Sequence, residues 1–232
     1  MEEIELTILI PCLNEEKTIG ICIKKAQNFM KENNINGEVL VIDNGCTDQS
    51  INIAKELGAR VEFVKEKGYG SALINGSKLA NGKYTIMGDA DDSYNFAEIL
   101  PIYEKLKEGY ELVVGNRYTG KLEKGAMKFT HQYIGTPAIS FMARKKFDIP
   151  VGDFNCGLRG YNTKLINDLK FQSTGMEYAT EMIIKAKQGN LKIIEIPINF
   201  YKDGRNGASH LKTIRDGIRN LKIISQNKAN KK

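Results

Sequence analysis

The 232-residue sequence predicts one α/β domain with a mostly parallel central sheet, and three observations carry that expectation. Short apolar runs alternate with segments of helical periodicity. No two runs are joined by less than a helix. The runs stop abruptly at Pro11, at Asp43-Asn44-Gly45 and at Gly88. Parallel neighbours need a crossover about as long as a helix, so this alternation points to a sheet covered on both faces.

The elements follow in order. Residues 7–10 (TILI) read as the first strand, ended by Pro11, and Asn14, Glu15 and Glu16 open a helix with Ile19, Ile23 and Ala26 on one face. Residues 38–42 (EVLVI) repeat the pattern and close on Asp43, after which Thr47 and Asp48 precede a helix holding Ile51, Ile53, Ala54 and Leu57. Residues 61–64 form a third strand, Gly68-Tyr69-Gly70 a flexible loop, residues 71–80 a third helix, and residues 83–87 a fourth strand. Asp92 and Ser93 suit the cap of a helix beginning near Phe96, and a fifth strand precedes Arg117. In such sheets ligands sit beyond the carboxyl ends of the strands, where Asn14, Glu15, Asp43 and residues 89–91 converge.

Three carboxylates, Asp89, Asp91 and Asp92, follow the fourth strand with no His or Cys interleaved. Like charges so close repel unless a cation or backbone donors offset them, and an all-oxygen set suits a hard divalent cation. An ordinary Asp-rich turn capping the next helix is the competing reading of this segment alone.

Composition bounds the function. The chain carries a net charge of +6, concentrated at one end: residues 201–232 hold nine Lys or Arg against Asp203 and Asp216, leaving residues 1–200 nearly neutral. Within that end Leu211, Ile214, Ile218, Leu221 and Ile224 recur at helical spacing between cations. This fits a basic amphipathic helix on an anionic membrane surface, or equally a helix packed on the domain with a solvated tail. Tyr201 is the one aromatic residue of the segment, which leaves little to stack bases on and disfavours nucleic acid. Residues 129–143 carry no formal charge and are flanked by Lys128 and Arg144; they are too short to span a bilayer and suit either core or a membrane-facing element. Cys12, Cys22, Cys46 and Cys156 show no paired metal spacing and read as reduced thiols. The Met1-Glu-Glu start is not that of a secretory signal. A cytosolic protein, soluble or peripheral on a membrane, is expected from composition.

The motifs IPCLNE (10–15), VIDNGCTD (41–48), KGYGSA (67–72), DAD (89–91), VGNRY (114–118), DFNCGLR (153–159), GME (175–177) and GASHL (207–211) cover nearly the whole chain. In order and spacing they resemble the inverting family-2 glycosyltransferases, most closely the branch of dolichol-phosphate mannose and polyprenyl-phosphate glucose synthases. The resemblance implies a single GT-A, Rossmann-like domain over residues 1–210, with a basic amphipathic C-terminal helix and tail over 211–232. It implies a nucleotide-sugar donor, UDP-glucose or GDP-mannose, and a Mg2+ or Mn2+ ion held directly by Asp91 with Asp89 near ribose and metal. Pro11, Asn14, Glu15, Asp43, Gly68, Gly70 and Ala90 would complete the donor site. Asp153 matches an acidic position near the sugar, in a catalytic group with Asp89, Asp91 and Arg117. Arg117, His131, Arg205 and Ser209 would meet the acceptor phosphate.

A phosphate acceptor also makes chemical sense. An alcohol needs a general base, whereas a phosphomonoester with a second pKa near ~6 is already dianionic at neutral pH and needs cations instead. Transfer of a hexose to polyprenyl phosphate is the expected reaction. Members of this branch often continue into membrane helices, so peripheral attachment or an anchored partner is expected. A soluble alcohol acceptor and a non-catalytic nucleotide-sugar-binding subunit are the alternatives.

Overall fold

The computed structural model describes residues 3–127, 129–205 and 213–229, excepting the side chains of His131, Thr213 and Ile214. Its first strand, β1 (Leu6–Cys12), is buried along almost its whole length, as expected of a central parallel strand. Alternate residues serve opposite faces: Leu6, Ile8 and Ile10 pack in one core and Leu9 in the other. Side chains so enclosed are worth roughly 2–5 kcal/mol each against truncation to Ala.

Helix α1 (Ile19–Glu32) buries Ile19, Cys22, Ile23, Ala26, Phe29 and Met30, the stripe its periodicity predicts. Then come β2 (Gly37–Asp43), α2 (Ser50–Glu56), β3 (Arg60–Phe63), α3 (Tyr69–Leu79) and β4 (Tyr84–Met87). The next helix starts differently from expectation. A 3-10 turn, Phe96–Glu98, is capped by Asn95, whose side chain accepts from the Ala97 N–H, while Asp92 is drawn away by Lys25 at 2.8 Å. Helix α4 (Leu100–Lys107) follows with Pro101 in its first turn, where no N–H is needed.

The second half contributes β5 (Leu112–Asn116), a π-helical turn at His131–Gly135, α5 (Thr136–Phe147), β6 (Arg159–Asn162), α6 (Thr163–Asn167), α7 (Tyr178–Gln188), β7 (Ile193–Pro197) and α8 (Thr213–Gln226). The seven strands lie in the order β3-β2-β1-β4-β6-β5-β7. All pairings are parallel except those of β6, which runs antiparallel between β4 and β5. The α1 and α2 layer covers one face and α3 the other, so the crossover changes sides between β1 and β4.

Helix α8 packs against α5 and α7. Its buried face holds Asp216, Asn220 and Ile224. Asn220 accepts a hydrogen bond from Thr180 and donates to the Asp216 carbonyl, and Lys146 Nζ caps the helix by donating to the carbonyls of Ile224 and Ser225. The apolar stripe expected to face a membrane is therefore divided. Ile224 fills the core, Ile218 and Leu221 stand exposed, and Leu211 and the Ile214 side chain lie outside the described residues. No helix among the described residues is long and apolar enough to cross a membrane.

Candidate active site

The carboxyl ends of β1, β2 and β4 open into a cleft of about 530 Å³, walled on the far side by the N-terminus of α3, the loop 174–176 and α8. This is the switch point of the sheet. Strand β4 ends at Met87 and delivers Asp89, Ala90 and Asp91 to the cleft wall. Asp89 accepts from the Tyr69 hydroxyl at 2.9 Å. Asp91 accepts from the backbone N–H and hydroxyl of Ser93 at 3.1 and 2.6 Å, a local turn that aims its second oxygen outward. That oxygen meets Arg205 Nη2 at 3.2 Å.

Arg205 reaches across the cleft. Its Nη1 lies 2.9 Å from Glu15 Oε1, and it also pairs with Asp203. Three carboxylates raise its pKa further, against the cost of burial. Burial pushes Glu15 up to about 7 despite Arg205, with Asp91 adding to the rise. Burial and the neighbouring Asp91 charge likewise push Asp89 up to about 7, against the Tyr69 hydrogen bond and the Arg117 charge.

The expected donor residues divide into those that line the cleft and those that shape it. Pro11, Glu15, Gly68, Asp89, Ala90 and Asp91 line it. Asn14, at φ 58°, is exposed and pins two loops together by accepting from the Thr47 N–H at 2.8 Å. Asp43 accepts from the N–H groups of Gly45 and Cys46, both at 2.8 Å, and holds the turn after β2. Gly68 and Gly70 are also required by packing. A Cβ on Gly68 would lie 2.2 Å from the Thr174 carbonyl oxygen, and one on Gly70 2.2 Å from that of Ser173, so both let the 173–175 loop dock on α3.

Arg117 and Asp153 are joined to each other behind the cleft. Asp153 is fully buried and accepts from Arg117 Nε and Nη2 at 2.7 and 2.8 Å, a bidentate pair stacked on the Phe200 ring. Glu195 secures this loop by accepting from the N–H groups of Gly152 and Asp153. Ser209 and the side chain of His131 lie outside the described residues.

Several residues without an assigned role in the sequence reading line the cleft. Asn44 accepts from the Gly68 N–H at 2.8 Å and donates to the Val64 and Glu66 carbonyls, fastening the glycine loop to β2. Lys67 donates to the Asn44 carbonyl at 2.7 Å. Tyr69, Met176, Arg215 and Arg219 complete the far wall. Asn44 and Lys67 stand inside the quoted motifs, so their position beside Asp43 and Gly68 was the available signal. For α8 no local signal exists, because its placement depends on packing against α5 and α7.

The donor set fits a hard divalent cation that shares its coordination with a ligand. Asp89 and Asp91 supply carboxylate oxygens, and no group of three or more His, Cys, Asp or Glu among the described residues forms a closed cage. Mg2+ sites of this type use one or two carboxylates and take the rest from phosphate and water.

The raised acids make a pH prediction for the metal-free protein. Glu15 and Asp89 hold protons in the native state up to about 7, whereas unfolded carboxyls release theirs near ~4. Between those values the native state binds more protons, so stability falls as pH rises from about 4 to about 7 and levels off above. In EDTA, unfolding free energy should be larger at pH 6 than at pH 8 by about 2–3 kcal/mol. With Mn2+ the trend should reverse, because the metal competes with protons for the same oxygens. Urea melts at the two pH values, with and without Mn2+, check both signs.

A mostly parallel sheet with paired Asp carboxylates at its switch point and basic side chains at the cleft fits the class of nucleotide-sugar glycosyltransferases. The chain belongs to Glycosyl transferase family 2, whose pattern it matches over residues 7–170. It is 33% identical over 223 residues to the low-salt glycan biosynthesis hexosyltransferase Agl6 of Haloferax volcanii, a match covering 96% of this chain and 53% of that protein. It is 27% identical over 228 residues to the dolichol-phosphate mannosyltransferase of Pyrococcus furiosus, covering 94% of this chain and 62% of the relative. It thus spans little more than half the length of these two proteins. Glucosyl-3-phosphoglycerate synthase from Mycobacterium tuberculosis, solved with Mn2+, UDP and phosphoglyceric acid, shares the fold with a TM-score of 0.73 at 20% identity, over 95% of this chain and 76% of that one.

Proposed function

We propose that the protein transfers a hexose, glucose before mannose, from a nucleotide sugar to a polyprenyl phosphate with inversion, giving a β-linked product. The observation that carries this reading is the cleft of about 530 Å³ at the switch point, lined by Asp89, Asp91 and Arg205 and large enough for a nucleotide sugar. A bound Mg2+ or Mn2+ would neutralise charge on the departing diphosphate. Asp91 would hold that ion directly with Asp89 beside it, and Glu15 and Asp43 would accept from ribose hydroxyls. Arg205, freed from Asp91 as the ion binds, would turn to phosphate.

The acceptor assignment draws support from Asp153. Its carboxylate is fully buried and bound on both oxygens by Arg117, so it is poorly disposed to act as the base an alcohol would need. A phosphate dianion asks for no base.

Lipid specificity draws support from the surface. Phe129, Tyr133, Ile134, Phe141 and Met142, just before and along the π-helical turn and α5, with Ile218 and Leu221 on α8, are large apolar side chains left exposed. Such a surface suits an enzyme seated on the cytoplasmic membrane face, alone or with an anchored partner. Because α8 lines the cleft, deleting it would confound attachment with donor binding. Point changes avoid this. Phe141→Ser combined with Ile218→Ser should reduce co-sedimentation with anionic vesicles by about tenfold and leave donor binding unchanged; equal sedimentation would remove this surface from membrane attachment.

The function is tested by transfer of radiolabelled sugar from UDP-glucose and GDP-mannose, with Mn2+ or EDTA, to polyprenyl phosphate and to 3-phosphoglycerate. Labelled lipid supports the proposal. Labelled phosphoglycerate alone would move the enzyme to soluble acceptors, and donor binding without transfer to either would indicate a non-catalytic subunit.

A further inference from the structure

The arginines in and behind the cleft differ in how fully they are engaged. Arg117 is bound on two nitrogens by Asp153, and Arg205 closes on Glu15, Asp91 and Asp203. Arg215 and Arg219, one turn apart on α8, line the same cleft from the opposite wall. Their described ion pairs are loose: Arg215 Nε lies 3.7 Å from Asp216 Oδ1, and Arg219 Nη1 lies 3.7 Å from Glu177 Oε2. Both exceed hydrogen-bonding range.

The local structure brings Arg219 close to the loop at 174–176. A Cβ on Gly175 would stand 2.6 Å from Arg219 Nη1 and 2.5 Å from Glu177 Oε2, so any side chain there would push both groups away from this backbone. Glu177 is buried and its Oε1 accepts from the Gly175 N–H, while Oε2 makes no hydrogen bond within the described residues. Arg219 thus stands beside a carboxylate that takes no hydrogen bond from it, and its guanidinium N–H groups make none among the described residues. The buried side of α8 is polar at this end, with Asp216 and Asn220 where an ordinary packing helix would place apolar residues.

We infer that Arg215 and Arg219 form a phosphate-reading pair of the active site, contributed by the C-terminal helix and facing the metal-side carboxylates across the cleft. This rests on the nucleotide-sugar reading and deepens it. Two guanidiniums within one turn can take separate oxygens of one phosphate group, and the partly solvated position keeps their desolvation cost low. The ligand is a phosphate oxyanion, either of the donor diphosphate or of an acceptor monoester. The basic residues of α8 then divide by face: these two serve the cleft, and Lys222, which is exposed and absent from the cleft wall, serves only as surface charge.

Calorimetry with Mn2+ present would compare wild type, the double variant Arg215→Ala/Arg219→Ala, the double variant Arg215→Lys/Arg219→Lys, and Lys222→Ala. The probes are UDP, GDP, their nucleosides, and geranyl phosphate as a short isoprenyl monophosphate. The double Ala variant should bind the preferred nucleoside diphosphate or geranyl phosphate at least about tenfold more weakly, with nucleoside binding and circular dichroism unchanged. The Lys pair should recover part of the loss, and Lys222→Ala should match wild type. Loss confined to the nucleotide assigns the pair to the donor diphosphate, and loss confined to geranyl phosphate assigns it to the acceptor. Wild-type affinity of the double Ala variant for both phosphates, or an equal loss of nucleoside binding, overturns the inference while leaving the nucleotide-sugar reading intact. Failure of wild type to bind any of the probes overturns that reading and the inference with it.

Discussion

Asp91→Asn is expected to lower metal-dependent transfer by a factor of about 10²–10³ while leaving the fold intact, a loss typical of removing one preorganised electrostatic contact at a reacting phosphate. The substituted amide can still accept from the Ser93 N–H and hydroxyl, so the turn after β4 should survive. What disappears is the negative charge that would hold the cation. Stability in the absence of metal should change little, since lost repulsion with Asp89 and Glu15 offsets the lost pairing with Arg205. Initial rates over a Mn2+ titration and a thermal melt in EDTA check both halves. Undiminished turnover by Asp91→Asn, or equal wild-type activity in EDTA, would remove the metal role from this residue.

Arg117→Ala should act first on stability. Asp153 is fully buried, and removing its bidentate partner leaves an uncompensated carboxylate in the protein interior, which typically costs about 3–5 kcal/mol. The Phe200 ring would also lose the guanidinium stacked on it at 5.3 Å. For a chain of this size the melting temperature should fall by roughly 10 °C. Asp153→Asn added to Arg117→Ala should restore part of that loss, because a neutral amide is cheaper to bury than an unpaired charge. Urea unfolding of the two variants decides. An unchanged midpoint for Arg117→Ala would mean that Asp153 finds another partner or sheds its charge at no cost, and Arg117 would then be judged by its effect on the acceptor KM alone.

These expectations show how unevenly the site was written into the chain. The carboxylates of the cleft follow strand ends, and strand ends are where a parallel sheet presents its ligands, so the convergence of Glu15, Asp89 and Asp91 was legible from local pattern. The packing demand on Gly68 and Gly70 was not, because the atoms that require a missing Cβ belong to residues more than a hundred positions away. Arg117 carried a motif but no sign of its partner. Nothing in VGNRY indicates that its guanidinium turns inward to Asp153 and not outward to solvent.

By itself the sequence determined the class of fold, the order of its first four strands and three helices, and the position of the acidic centre. All of these depend on periodicity and on breaks within a few residues of each other. The tertiary structure alone decided that β6 enters antiparallel between β4 and β5, since RGYN at 159–162 has no strand-like alternation and is held by its neighbours' hydrogen bonds. It also decided the fate of the basic C-terminal helix. An amphipathic stripe fixes which residues share a face and leaves open what that face meets. Packing against α5 and α7 buried Ile224, left Ile218 and Leu221 outside, and turned Arg215 and Arg219 toward the cleft. Contacts between residues far apart in the chain settle such choices, and no local pattern encodes them.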